Sequence, residues 1–180
     1  MNITRSLPWI CASALLAAHV AGAQDAPAAA STPAGTVFIG KSAPFLDEGL
    51  IAKNVIDECG LPEAQMKSLR EKAEKSGVSL SENEEAIAAK TGKVLVLETT
   101  NAISSGNAFM GHRKQVAVRG KLFDNGAEIG NFLAIRNSMG GLGAGFKGSC
   151  TVLYRCQNAI AEDILEWLKN PIKDARLGDQ

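Results

Sequence analysis

The chain has 180 residues, 19 Lys and Arg against 19 Asp and Glu, 46% hydrophobic residues, and two Trp, one Tyr and six Phe. Zero formal charge excludes a globally basic surface that would neutralise nucleic-acid phosphates, and 21% charged residues at ordinary hydrophobicity excludes a disordered chain. The length fits one domain of ~100 to 200 residues, able to bury ~70% of the surface its unfolded chain exposes without help from a metal or a disulfide.

Residues 1–24 carry Arg5, then an apolar run from Leu7 to Val20, then Ala21, Gly22 and Ala23 before Gln24. This is the three-part arrangement of a secretory signal peptide. The run contains Pro8, Ser13 and His19 and falls short of the about 20 apolar residues that span a bilayer. Cys11 follows Trp9 and Ile10 rather than a box of small residues, so no lipid anchor is expected. No later segment is apolar enough to span either, which predicts a periplasmic chain with no stable membrane insertion after signal cleavage. Cleavage removes only Arg5, leaving 18 Lys and Arg against 19 Asp and Glu, a balance that recruits neither nucleic acid nor anionic lipid. Residues 25–35, DAPAAASTPAG, read as a flexible arm, and residues 36–172 as a single globular domain followed by a disordered tail over 173–180.

Thr36 to Ile39 is β-branched enough for a short first strand. Asp47 can cap a helix carrying Leu50, Ile51, Val55 and Cys59 on one side, with Gly60 as its left-handed stop. Leu61 and Pro62 restart a helix with a stripe of Met66, Leu69 and Ala73, ended by Gly77. Val78 to Leu80 reads as a brief strand, and Ser81 with Glu84 as a capping box for a short helix to Ala89. The period then changes. Val94 to Leu97 is apolar on both faces, a central strand, and residues 104–112 read as a loop. Val116, Val118 and Leu122 alternate with Ala117, Arg119 and Lys121; Asp124, Asn125 and Gly126 turn the chain; Ile129, Leu133 and Ile135 resume the alternation. From Ser149 to Lys169 a helical stripe of Leu153, Cys156, Ile160, Ile164 and Trp167 ends at Asn170 and Pro171. Burying both kinds of stripe predicts an α+β fold: an antiparallel sheet of three to five strands packed on one face by helices.

Three cysteines follow the signal segment, in a compartment expected to be oxidising. Cys150 and Cys156 are six apart on one helix, about 9 Å along its axis, too far for a bridge. Cys59 is therefore one partner, with Cys156 or, as the alternative, Cys150 as the other, tying the first helix to the last.

Catalytic signals are thin. Gly143, Gly145 and Gly148 satisfy GxGxxG, but the dinucleotide fingerprint belongs to a first βαβ unit with an acidic residue ~20 positions on, and here one helix follows. Lys147 lies between Phe146 and Gly148, which is not a phosphate-binding P-loop. The segment from Gly141 through Gly143 and Gly145 to Lys147 reads better as a connection that another surface can approach closely. His112 is the only histidine after the signal segment, a weak candidate for general acid or base work. No spacing suggests a metal site, and no cofactor is expected. Arg113, Lys114, Arg119, Lys121 and Arg136 put positive charge on the hairpin, where edge protection explains them better than an anionic ligand.

The helix ending in DECGLP, the strand VLVLETTNAIS and the final helix GFKGSCTVLYRCQNAIAEDILEWL resemble small exported proteobacterial proteins of unknown function. More distantly they resemble the amino-terminal domain of TolB and related envelope lipoprotein domains. The resemblance implies a non-enzymatic accessory or protein-interaction domain of the cell envelope, acting on an envelope protein partner. The alternative is a small enzyme or ligand carrier with a pocket near His112.

Overall fold

A computed structural model describes residues 35–107, 111–139 and 148–179. The order of elements is β1 (Val37–Ile39), a single 3-10 turn (Glu48–Leu50), α1 (Lys53–Cys59), α2 (Leu61–Ser76), β2 (Leu80–Glu82), α3 (Glu84–Ala89), β3 (Lys93–Asn107), β4 (Gly111–Asp124), β5 (Ala127–Met139), α4 (Ser149–Lys169) and β6 (Ala175–Gly178). The α+β class is as expected. The sheet is larger than expected and mixed: six strands in the order β2-β1-β3-β4-β5-β6, with β1 parallel to both neighbours, β6 parallel to β5, and antiparallel pairing only among β3, β4 and β5.

Two layers make the main core. Val37, Ile39, Leu95, Leu97, Val116, Val118, Leu122, Phe132 and Ala134 point from the sheet onto Val55, Leu61, Met66 and Leu69 of α1 and α2 and onto Leu153, Ile160 and Ile164 of α4. Phe132 meets Trp167 edge to face at 4.8 Å between ring centroids, a geometry that suits the ring quadrupoles. Among the described residues, the elements packed on the opposite face of the sheet lie at one end, where Ala86 of α3 packs with Val94, Phe123 and Phe38. Asn125 and Gly126 turn β4 into β5 with φ of 46° and 86°, the left-handed pair a tight hairpin demands, and Asn125 bonds Gly92 at the foot of β3 through both its N–H and its side chain.

Several local expectations change. Asp47 does cap a turn, accepting from Gly49 N–H at 2.8 Å, but Ile51 becomes extended, so the expected first helix splits into the 3-10 turn and α1. Ser81 is taken by β2, and Asn83 caps α3 instead, accepting from Ala86 N–H at 2.9 Å. The tail expected to be disordered forms β6, because Ala175 is buried beside Phe132 and Asp179 N–H reaches the Ile135 carbonyl at 2.8 Å. On β5 the inward set is Phe132 and Ala134, not Leu133 and Ile135. A bulge between Leu122 and Phe123 pairs them with Gly130 and Glu128, so the strand above it is one residue out of the expected phase.

Cys59 bonds Cys150, with Cα atoms 5.2 Å apart, and Cys156 is a buried free thiol. The first-named pairing of Cys59 with Cys156 is thus corrected. Cys156 lies on the core stripe of α4, 3% exposed, whereas the end of α1 meets the first turn of α4, where Tyr154 donates its hydroxyl to the Cys59 carbonyl at 2.5 Å.

Candidate functional site on the far half of the sheet

Strand lengths decide what is left uncovered. β3, β4 and β5 have 15, 14 and 13 residues, whereas β1, β2 and β6 have three, three and four. The short strands flank only part of the long ones, and the far half of the three-stranded ribbon runs past them. The residues expected as a loop over 104–112 are largely strand: Asn107 pairs with Gly111, Gly106 with His112, and Arg113 with Met139. Serines and glycines at 104–106 concealed this, since they carry little intrinsic strand preference and are held by pairing alone.

His112 therefore sits on β4 in register with Gly106. Gly141, Gly143, Gly145 and Lys147 lie outside the described residues. The register nonetheless brings the flank of that segment, Met139, to the same end of the sheet as His112 and Arg113.

The stretches of sequence that carry these strands have a distinctive composition. Residues 99–123 and 129–161 contain seven Lys and Arg and no Asp or Glu, so a chain that is neutral overall is divided internally. Cations lower on the sheet are answered by carboxylates outside those stretches: Arg119 by Glu98 at 2.6 Å and Lys121 by Glu128 at 3.4 Å. On the helix layer, α1 carries Asp57, paired with Lys53 at 2.8 Å, and Glu58.

The five cations expected on one polar face divide between two. Arg119 and Lys121 share the outer face by alternation, along with Gln115, and Arg113 is two residues further along the same strand. Lys114 and Arg136 share the phase of the inward residues Val116 and Ala134 and turn toward the helices. Lys114 is 6% exposed; its ammonium donates to Ser104 Oγ at 2.6 Å, and burial pushes its pKa below the ordinary lysine value. Arg136 grips Asp163 of α4 through Nε at 2.8 Å and Nη2 at 2.6 Å, and Asp179 through Nη1 at 3.0 Å. The Asp163 hydrogen bonds raise the guanidinium pKa further still. Asp179 also accepts the Asn137 N–H at 2.8 Å, the contact that most lowers its own pKa. This arrangement clamps the end of the chain to α4 and β5, so Arg136 is structural.

The clefts lie elsewhere. One of about 540 Å³ between α2 and α4 is rimmed by Glu71, Lys72, Lys75, Glu162, Glu166 and Lys169, with Lys72 bridging to Glu162 at 2.5 Å. Alternating charges of equal number offer a ligand no net attraction, and the Ser76 hydroxyl on the rim donates to the Ala73 carbonyl at 2.9 Å. Another of about 380 Å³ runs between the end of α4 and β6, past Trp167 and Ile172. Among the described residues no three of His, Cys, Asp and Glu converge as metal ligands, and no helix is long and apolar enough to cross a membrane.

Sequence reasoning missed the outer-face residues Ile103, Gln115 and Asn137. Gln115 donates to Asn137 Oδ1 at 2.8 Å across the strands. A period-2 count carried upward from Val116 would have found Gln115.

No protein-family model and no curated protein sequence matches the chain. Among solved structures, a Xanthomonas campestris protein of the DUF330 family superposes with a TM-score of 0.52 at 10% identity over 76% of this chain and 87% of that one. A minor lipoprotein from Acinetobacter baumannii gives 0.44 at 12% identity over 74% and 91%. The PelC dodecamer subunit from Paraburkholderia phytofirmans gives 0.44 at 14% identity over 70% and 85%. The first of these shows a shared fold. The likeness to TolB rests on the sequence segments alone.

Proposed function

We propose that the chain is an exported, periplasmic accessory domain of the cell envelope, a protein-interaction module without catalytic activity. Its contact surface is the outer face of the far half of β3, β4 and β5. One observation carries this reading. The stretches 99–123 and 129–161, whose strand portions supply this half, contain no Asp or Glu, so all 19 carboxylates lie in the rest of the chain. A face without carboxylates does not repel an acidic partner while the carboxylate-bearing remainder does, which favours specificity and association rate more than raw affinity. The expected export segment and the Cys59–Cys150 disulfide suit a module that works in an oxidising compartment.

The test is crosslinking in intact cells followed by mass spectrometry of what is captured with the protein, repeated with Arg113→Glu/Gln115→Glu. Gln115 lies on the outer face, and Arg113 is two residues further along the same strand. Loss of the captured envelope protein from the double variant, with unchanged thermal melting, is the expected result. A partner captured equally by both forms would remove this face from the account.

A further inference from the structure

Open strand edges invite pairing, and native proteins blunt them with short strands, charge or proline. Two edges of this sheet obey. β2 is three residues long and carries Glu82; β6 is four residues long, carries Arg176 and ends at Gly178 with φ of 80°. The third does not. β1 flanks β3 only from Lys93 to Leu95, and the Pro44–Leu46 segment continues that flank up to Thr99, whose N–H bonds Pro44 O at 2.8 Å and whose carbonyl accepts from Leu46 N–H at 2.9 Å. Beyond Thr99, residues 101–107 pair with β4 alone among the described residues. Their sequence, NAISSGN, has neither charge nor proline.

The bulge between Thr99 and Asn101 settles which groups face outward. Thr99 directs its N–H and C=O away from β4, and the extra residue returns Asn101 to the β4 side. Alternation then aims the N–H and C=O of Ala102, Ser104 and Gly106 into the open edge.

We propose that this edge pairs with the same edge of a second copy, antiparallel and centred on Ser104, to join two six-stranded sheets into one. A two-fold axis through Ser104 sets Asn101 opposite Asn107, Ala102 opposite Gly106 and Ile103 opposite Ser105. No two charges meet in that register. The residues on the helix side of the seam are Ala102, Ser104 and Gly106, small enough to let two helix layers stand side by side. The ends of the seam also fit. The partner's Asn107 stops beside the Pro44–Leu46 segment, where Leu46 is 47% exposed, one of the three exposed large apolar side chains among the described residues. A strand from an unrelated chain could use the same backbone groups. Only a second copy matches the length, the neutrality and the two leucine-bearing ends on both sides of one axis.

The interface is small, about six backbone hydrogen bonds with one leucine of each copy at its rims, which places it in the weak class with a Kd on the order of 10–100 µM. Sedimentation equilibrium of the protein in the form the cell accumulates is expected to show reversible dimers across that range. Ser104→Pro deletes an outward N–H that β4 does not use and is expected to weaken the dimer at least tenfold with the β-sheet circular dichroism intact. Ser104→Cys brings a thiol opposite its own copy at a Cα spacing of about 5.5 Å, within disulfide reach, and is expected to give a covalent dimer on mild oxidation. Thr151→Cys, exposed on α4, is expected to give none. A chain that stays monomeric to millimolar concentration overturns the proposal, as does a dimer indifferent to Ser104→Pro that Ser104→Cys fails to trap. Capture of an acidic partner through Arg113 is a separate measurement, so neither reading falls with the other.

Discussion

Reducing the Cys59–Cys150 bridge should destabilise the domain by an amount that can be worked out in advance. The two cysteines are 91 residues apart, and closing a loop of that length lowers the entropy of the unfolded chain by the equivalent of about 4.6 kcal/mol at 25 °C. Chain-entropy values are upper limits, because an unfolded chain that stays compact has less freedom to lose, so about 3 to 4.6 kcal/mol is expected. For a domain of this size each kcal/mol moves the melting temperature by about 3 °C, giving a fall of about 10–14 °C. The assay is calorimetry or circular dichroism melting of the oxidised protein, of the same protein reduced, and of Cys59→Ala/Cys150→Ala. Reduction removes no heavy atoms, so it isolates the constraint from packing, and the double variant should melt near the reduced protein. Cys156 is the control: its burial pushes the thiol pKa up and keeps it protonated, a poor nucleophile for exchange, so Cys156→Ala should retain the full response to reductant. Melting points of oxidised and reduced protein within about 3 °C of each other would refute the reasoning, and would mean that the Tyr154 hydroxyl on the Cys59 carbonyl, with its surrounding packing, already holds α1 to α4.

Other perturbations test separate parts of the fold. Gly120→Ala should cost at least about 2–3 kcal/mol in chemical denaturation, because the added Cβ would collide with the Phe132 ring and stand 2.9 Å from Leu97 Cδ2, and Phe132 is already fixed against Trp167. Asp179 has a lowered pKa, so the stability it contributes is present above the ordinary carboxylate value and lost as pH falls through the lowered one. Asp179→Asn should therefore melt below the parent at neutral pH, with the difference shrinking below about pH 4. Gln65 and Gln157 are fully buried between α2 and α4; the Gln157 amide donates to Leu61 O at 2.6 Å and that of Gln65 to Gln157 O at 3.4 Å, and neither Oε1 meets a protein donor. Gln65→Leu, which removes the weaker bond along with an orphaned acceptor, should raise stability by roughly 0.5–1 kcal/mol, whereas Gln157→Leu should lower it.

What the sequence made legible follows from how strongly each element states its own period. α2 and α4 are long, striped and stopped by Gly77 and Asn170, and both form as expected. The β4–β5 turn is written in Asn125 and Gly126. β1, β2 and β6 are three or four residues long, too short for any period, and become strands only because long neighbours offer them partners. That is why a parallel flank on each side of the antiparallel ribbon could not be read. The cysteine pairing failed for a related reason. Spacing showed that Cys150 and Cys156 cannot bond each other, but choosing between them required the meeting point of α1 and α4, a tertiary fact. Cys156 lies in line with Leu153 and Ile160, which marks it as core, and that phase favoured Cys150 in retrospect. For the candidate surface, the absence of carboxylates was visible in the sequence. Only the register showed that the two acid-free stretches lie side by side, and that Lys114 and Arg136 turn away from the face that Arg119 and Lys121 occupy.

The mismatch of strand lengths has one last consequence. The core is complete where β1, β6 and the helices cover the central ribbon. Past Ala102 and Val116 the ribbon adds few buried apolar residues of its own, and Lys114 there is buried at a cost in desolvation. Stability should therefore be nearly indifferent to the far half. Replacing residues 104–114 by an Asn-Gly turn joins Ile103 to Gln115, which already face each other across β3 and β4. The shortened chain should unfold within about 1–2 kcal/mol of the parent by denaturant titration, since the lost hydrogen bonds are exposed and the lost loop closure offsets part of them. The same deletion removes Arg113 and most of the open edge, so it should abolish both partner capture and self-pairing. A shortened chain that fails to fold would show that the ribbon is part of the core, and that its bare face exists for stability rather than for contact. A shortened chain that folds and still captures its partner would move the contact surface to the helix layer, where Asp57 and Glu58 would select a basic partner instead.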